Sequence, residues 1–450
     1  MAHGNYEEEG QERHEGHEAR PVSNSTRRPL AGSPGPESPG TRSVPRQGQA
    51  GPEAPPLSSA GEVRHMEQKA SVIVVGAGVI GCSVAFQLAR LGQRNVVVLE
   101  REALPGTGST SRANGGIRAQ FTTEVNVRMS LLSMEILDAL EEAIGQPPAY
   151  RKAGYLFLTD SPAKLAAMER AAEFQRGFGV DVEVLNAADV RRRVPWVAGK
   201  NLAGGAFGAR DGFIDPGRLC AFFASAAAHD GVAFRYGQEV VAAEEREGEF
   251  VLRTADGSAF ASLVVVNAAG AWSARLGRLL GVEAPVEPVR RHLFLTGPVR
   301  DLPSEIPMTI DADTGVLVRR EGERALVAWS NADEPPGFDT ACDPEFVLRF
   351  ADALEARFPS VAAAGIDQRR SWAGLYEVTP DHHAILGPVE GRPGILLATG
   401  FSGHGVMHAP AAGRCVAEMI VFGRSESVDV AALSLGRFAR GELIHETMVL

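Results

Sequence analysis

The sequence predicts an α/β fold built on parallel strands joined by crossover helices. Three observations carry this reading. A β-branched run, "SVIVV" (71–75), leads into "GAGVIG" (76–81) and then into "GCSVAFQLARLG", whose apolar spacing reads as a helix. A second strand, "NVVVLE" (95–100), follows at once and completes a strand–turn–helix–strand unit. Two more buried-strand patterns return far along the chain, in "SLVVVNAAGAWS" (262–273) and "GILLATG" (394–400). The 450 residues are enough for two domains, or one large domain with insertions.

Each glycine of the first turn has a distinct task. Gly76 permits the tight turn, Gly78 lets backbone approach a pyrophosphate, and Gly81 lets the helix pack closely on the sheet. Val79 and Ile80 then open the helix, whose free N–H groups and positive dipole end favour a phosphate. Glu100 ends the second strand about 20 residues on, where an acid accepts from a ribose hydroxyl and disfavours a 2′-phosphate. The bland alternative for Glu100 is a solvated strand end. Residues 71–89 carry no charge, but they break at three glycines and no comparable apolar run follows, which argues against a membrane span.

The choice of dinucleotide rests on what comes next. "GTGSTSRANGGIRAQF" (106–121) supplies small residues, hydroxyls and Arg112 directly after the acidic strand. A second glycine-rich loop there suits a longer cofactor with a ribityl chain and a flavin ring. "GILLATGFSGHGVMHAPAAGRCVAEMI" (394–420) adds a strand, a glycine loop and a helix, whose amino end could stabilise negative charge on a reduced flavin. Elsewhere, "AGYLFLT" (153–159) and "ALVAWSN" (325–331) read as strands, and "PEFVLRFADALEARFPS" (344–360) as one helix. "DPGRLCAFFASAAAHDG" (215–231) reads as a helix with Asp215 at its N-cap and Pro216 at its first position.

Composition narrows the partners. A net charge of −11 argues against nucleic acid, and the only lysines are Lys69, Lys152, Lys164 and Lys200. Cys82, Cys220, Cys342 and Cys415 form no CxxC pair and read as packed free thiols in a reducing compartment. His382 and His383 are adjacent and lack an acidic partner, so no metal site is read. Residues 1–66 are rich in Pro, Gly and Ser, and are expected to be disordered. They are too acidic for a transit peptide and hold no signal-peptide core, so a cytoplasmic location is expected, with Met66 a candidate translation start.

In this order and spacing, "GAGVIG", "GSTSRANGGIR", "VVVNAAGAW", "WAGLYEVTPD" and "ATGFSGHGVMHAPAAG" resemble the FAD-dependent D-amino acid oxidase superfamily, which includes sarcosine and glycine oxidases. With the closing "RFARGEL", the resemblance is nearest to the β subunits of heterotetrameric sarcosine oxidase and L-proline dehydrogenase. It implies a Rossmann-like, glutathione-reductase-type FAD domain (70–150, 205–284 and 366–425) interleaved with an antiparallel-sheet substrate domain (151–204 and 285–365), and a tail at 426–450.

The resemblance also implies non-covalent FAD. Expected contacts beyond the first turn are Arg101, Ser109, Thr110, Ser111, Arg112, Asn114, Gly115 and Gly116. Val240, then Ala269, Gly270 and Trp272, and finally Gly400, Gly403, His404 and Gly405 are expected to complete them. The histidine and cysteine positions used for covalent attachment in relatives are vacant here; the cysteine position is Gly374. Arg118 matches the arginine that pairs with a substrate carboxylate, the alternative being a phosphate-bound or exposed arginine. Met407 stands where some relatives place a second cation, with His408 beside it as a candidate substitute and Tyr376 as a candidate pocket wall.

The expected reaction is oxidation of a C–N bond in a small or secondary amino acid. No lysine follows Lys200, so the lysine that activates dioxygen in sarcosine oxidases is missing and a dehydrogenase is favoured. The competing expectations are a flavoprotein that assists assembly of a respiratory complex, and a subunit that works only with an α-type partner.

Overall fold

The computed structural model describes residues 67–144 and 150–446. The disorder expected for residues 1–66 falls outside the described residues.

Two eight-stranded sheets organise the chain. In the first, the spatial order is Ile385–Val389, Arg392–Thr399, Ala259–Asn267, Gln68–Val75, Val96–Leu99 and Ala233–Arg235, and the hairpin Val240–Arg246/Glu249–Thr254 adds to Ala259–Asn267. Its central pairings are parallel. Gln68–Val75 has later strands on both sides, so the strand order reverses beside it. Crevices at the carboxyl ends of strands flanking such a reversal are where ligands bind in open α/β sheets. The Gly76 turn and the Ala268–Trp272 turn both lie there. The first helix, Val79–Arg90, is buried along eleven of its twelve residues, packed against Pro216–His229 and Gly405–Phe422. That explains its near-continuous apolar sequence.

The second sheet runs Trp372–Val378, Glu287–Pro298, Arg324–Ala328, Leu317–Glu321, Met308–Asp311, Tyr155–Thr159, Gly204–Gly208 and Val182–Asn186. All pairings are antiparallel except Met308–Asp311 with Tyr155–Thr159. Side chains alternate between its two faces. Phe294, Val318 and Val327 face a core completed by Phe346, Phe350, Leu354 and Phe358, and the His292 ring stacks on Phe346 there. The opposite face carries Tyr155, Leu317, Ala328, Leu293, Arg291 and Tyr376, and looks towards the first sheet's crevice.

Several local expectations hold. Asp215 caps Pro216–His229 by accepting from the Arg218 N–H at 3.0 Å, and Pro216 opens that helix. The strands read at 153–159 and 325–331 form over Tyr155–Thr159 and Arg324–Ala328, the second ending before Trp329. The single helix expected over 344–360 does not. The segment is a short 3-10 turn at Phe346–Arg349, then Ala351–Arg357, then Pro359–Ala363. Phe350 and Phe358 leave helical geometry to turn their rings inward, and Pro359 cannot continue the preceding helix. Two strands, Gly204–Gly208 and Trp372–Val378, fall largely within segments expected in the FAD domain but pair in the second sheet, drawn there by Tyr155–Thr159 and Glu287–Pro298. Among the described residues, no helix is long and apolar enough to cross a membrane.

Candidate functional site

A single long cavity of about 310 Å³ begins at the first-helix turn and ends against the second sheet. Its floor at the turn is bare backbone. Gly76 sits at φ +107°, and a Cβ there would lie 2.4 Å from the Ala268 carbonyl oxygen. Gly78, the N-cap, has no side chain to cap the helix, so Thr110 supplies one: its Oγ1 accepts from the Val79 N–H at 3.0 Å. The N–H groups of Ile80 and Gly81 have no intrahelical acceptor, and the helix's positive end opens on the cavity. Glu100 stands at the rim, where it accepts from the Ala77 N–H at 2.7 Å and the Glu102 N–H at 2.9 Å. Bare backbone at a helix's positive end beside an acid has the form of a diphosphate cradle, and an extended dinucleotide fits it.

Further along, the Arg101 guanidinium lies 3.8 Å from the centre of the Trp272 ring, so two expected contacts form one wall. Asn267 pins the adjoining turn, accepting from Ala269 N–H and donating to the Ser273 carbonyl at 2.9 Å. Arg112 contributes its carbonyl, which accepts from Trp372 Nε1 at 3.1 Å. Asn114 is held by Arg319 Nε at 3.0 Å. Ser109, Gly115, Gly116, Val240 and Gly270 also line the cavity. At the far end Gly403 has φ +97°, and a Cβ there would lie 2.4 Å from the Tyr376 ring. The ring therefore rests directly on the loop that opens the helix Gly405–Phe422. That helix points a second positive end at the cavity, through His404, Gly405, Val406 and Met407.

Arg118 lines the same end and is 1% exposed. It donates to the Gln120 carbonyl and stacks 3.9 Å from the Phe121 ring centre. Burial disfavours its charge, while Tyr155, Glu446 and Asp211 support it. Asp211 fixes the segment by accepting from the Ala119 N–H at 3.0 Å and from Gln120 Nε2 at 2.9 Å. Burial pushes its carboxyl up to about 6 against those hydrogen bonds. Burial raises the Tyr376 hydroxyl too, opposed by Arg291 and Arg118. Glu377 accepts from Thr399 Oγ1 at 2.8 Å and from loop N–H groups, and burial raises its carboxyl.

Four expected contacts do not line the cavity. Gly81 acts in packing, as its position in the motif implies: a Cβ there would sit 1.9 Å from the Gly76 oxygen. Gly400 is buried at the strand end behind the wall, and Ser111 is exposed on its 3-10 turn. His408 is the substantive correction. It does not line the cavity; it packs on Phe121 and bonds Ser130 Oγ at 3.0 Å. It does not stand in for the cation missing at Met407. Burial, then Arg118, drives its imidazole down to about 3.

That places a pH signature in the fold. Between pH 6.5 and about 3 the unfolded chain takes up a proton that folded His408 refuses, so stability present above 6.5 is lost as pH falls towards 3. Each pH unit costs roughly 1.4 kcal/mol per such group. Urea midpoints measured down this range should fall more steeply for the wild-type protein than for H408L; equal slopes would contradict a buried neutral imidazole.

Arg291, Leu293, Leu317, Ala328 and Trp329 line the cavity without any sign of it in the sequence. No spacing marks them; only strand register could. Nor does the sequence show that Cys82 and Cys220 are neighbours, with sulfurs 3.7 Å apart beneath the first turn. All four cysteines are free thiols.

Comparison with known proteins agrees with this geometry. The family model described as FAD dependent oxidoreductase (DAO) matches residues 71–419. FAD-dependent oxidoreductase domain-containing protein 1 of Bos taurus is 31% identical over 429 residues, spanning 85% of this chain and 87% of its own. Mitochondrial dimethylglycine dehydrogenase of Homo sapiens is 26% identical over 92% of this chain, which spans 48% of that protein. Among solved structures, L-proline dehydrogenase from P. horikoshii superposes with a TM-score of 0.78 at 29% identity, covering 84% of this chain and 100% of its own. Glycine oxidase from Geobacillus kaustophilus gives 0.73 at 28% identity, covering 82% and 99%.

Proposed function

The chain belongs to the DAO family of FAD-dependent oxidoreductases, and from that premise we propose that it oxidises the C–N bond of a small or secondary amino acid and passes the electrons to an acceptor other than dioxygen. One observation carries this reading: a single cavity joins the diphosphate cradle to an end wall bearing Arg118 and Tyr376. Similarity to L-proline dehydrogenase, glycine oxidase and dimethylglycine dehydrogenase supports the substrate class.

Bound FAD supplies the two-electron acceptor: the substrate carbon gives up a hydride, and the resulting imine hydrolyses in water. The chain's own residues do the rest. The Gly78 backbone and the Ile80 N–H would hold the diphosphate, and Glu100 would meet the ribose. Arg118 anchors and orients the substrate carboxylate through a guanidinium already fixed by Gln120. Tyr376, Tyr155 and Leu293 exclude water from the reacting end. The amino end of Gly405–Phe422 would offset negative charge on a reduced flavin held in the cavity.

Non-covalent attachment is part of the proposal. A Cβ at Gly374 would lie 2.9 Å from Arg112 Cβ, so no side chain reaches the cofactor from that position. No lysine lines the cavity, which supports weak reaction with dioxygen.

The test is anaerobic titration of the yellow holoprotein with sarcosine, proline, hydroxyproline and glycine. Bleaching by at least one is expected, with slow recovery in air and fast recovery with an artificial electron acceptor. Acid precipitation should leave the colour in solution. No bleaching by any amino acid overturns the reading, and rapid recovery in air overturns its dehydrogenase part.

A further inference from the structure

We infer that the substrate carries two carboxylates, the second held by Arg291. This rests on the amine-oxidising reading above and narrows its substrate class.

Arg291 lies on the strand Glu287–Pro298, opposite Gly374 of the neighbouring strand. Strand alternation turns it to the cavity face with Leu293, while Arg290 and His292 turn to the other face. Gly374 has no side chain to crowd it, and the guanidinium lies 5.3 Å from the centre of the Tyr376 ring. The Tyr376 ring rests on the Gly403 loop, and Arg118 stacks on Phe121, whose ring meets His404 of that loop, so the two cations share one end of the cavity.

Among the described residues Arg291 forms no ion pair, and Glu334, which favours its charge, is itself bound to Arg290. The acids nearest its strand are already engaged: Glu334 and Asp339 bind Arg290 at 2.7 and 2.6 Å. Glu377, also on the wall, is committed to Thr399 and the glycine loop. Arg291 donates to the Arg290 carbonyl at 3.0 Å, and its buried Nε has no partner among the described residues. Burial also weighs against its charge. A desolvated cation with donors to spare is costly unless the ligand brings an anion. Sarcosine or proline brings one carboxylate, which Arg118 accommodates, and leaves Arg291 uncompensated. A secondary amine with two carboxylates satisfies both guanidiniums and fixes the carbon between them. The cofactor's phosphates do not compete for Arg291, because their cradle is at the opposite end.

The probes are iminodiacetate and both enantiomers of N-methylaspartate, compared with sarcosine and L-proline as reductants of the holoprotein. At least one dicarboxylate should exceed the monocarboxylates by about 30-fold in kcat/KM, the worth of one charge-assisted hydrogen bond pair. R291M should bring the dicarboxylates down to the monocarboxylate level, and R291K should recover part of the difference. A second readout needs no turnover. Glutarate should perturb the bound flavin's absorbance at concentrations at least tenfold below acetate, and R291M should abolish that preference.

Monocarboxylates reacting as well as dicarboxylates, or R291M slowing both classes equally, overturns the inference. So does a tenfold change in the flavin's own affinity for sulfite in R291M, which would mean Arg291 serves the cofactor. If no amine bleaches the flavin but the glutarate preference holds and depends on Arg291, the amine-oxidation reading fails and the two-carboxylate site stands.

Discussion

Gly81→Ala is expected to yield colourless protein that does not take up added FAD. The added methyl would lie 1.9 Å from the Gly76 carbonyl oxygen and 3.4 Å from Ala268 Cβ. Neither neighbour can yield, since Gly76 N–H is bonded to the Leu99 carbonyl and Ala268 N–H to the Val75 carbonyl. The first helix must therefore lift from the sheet, carrying the Ile80 N–H and the Gly78 backbone off the cradle. Overpacking of this kind costs about 1–3 kcal/mol, so the melting temperature of the apoprotein should fall as well. Gly78→Ala makes the contrast. A Cβ there meets only Thr110 Oγ1, at an ordinary 3.5 Å, and otherwise points into the cavity. It should weaken FAD binding while leaving the apoprotein's stability close to wild type. Flavin-to-protein ratios and thermal melts with and without added FAD separate the two. Wild-type FAD content in Gly81→Ala would show that the close approach of helix and strand is not what shapes the cradle.

The second large effect is at the other end of the chain. Arg437→Met should destabilise the protein by roughly 3–5 kcal/mol, the usual consequence of leaving a buried charge unpaired. Arg437 is 1% exposed and forms a two-pronged pair with Asp381, Nε to Oδ2 at 2.8 Å and Nη2 to Oδ1 at 2.9 Å. It also donates to the carbonyls of His383, Leu433 and Ser434. Burial alone would raise the Asp381 carboxyl, but Arg437 more than offsets it and holds it below the ordinary carboxylate range. Its folded value is depressed, so the stabilisation is present above the unfolded carboxylate value and is lost as pH falls through the folded one. Urea unfolding at neutral pH measures the loss. The double variant R437M/D381L should recover much of it, because no lone charge remains. If Arg437→Met unfolds at the wild-type urea concentration, the pair contributes nothing. Function should follow stability here. Asp381 shapes the turn whose Thr379 N–H donates to Ser402 Oγ in the glycine loop, at 3.2 Å.

That ion pair shows how a motif can be legible while its reason is not. "TPD" and "RFARGEL" both stand out in the sequence, yet nothing in either indicates that Asp381 and Arg437 are partners. Thr110 is similar: the motif reads it as a cofactor contact, and in the fold it also caps the first helix in place of Gly78. His408 shows the opposite failure. A histidine beside the vacant cation position looked like its substitute, but a helix turns about 100° per residue, and that rotation carries His408 behind Phe121. Arg291 was invisible because an arginine in an alternating strand belongs to one of two faces. The choice between faces was made by pairing with Gly374, 83 positions away.

By itself the sequence determined what is short-range. It specified the glycine turn and its helix, the acid after the second strand, the Asp215–Pro216 helix start and the family, because steric limits on backbone and capping chemistry act over a few residues. Only the tertiary structure decided which side chains share the cavity, which cation faces the substrate end and which buried charges are paired. Those depend on strand register and helix rotation, set by packing between segments far apart in the chain, and a single residue's shift in either would exchange one face for the other.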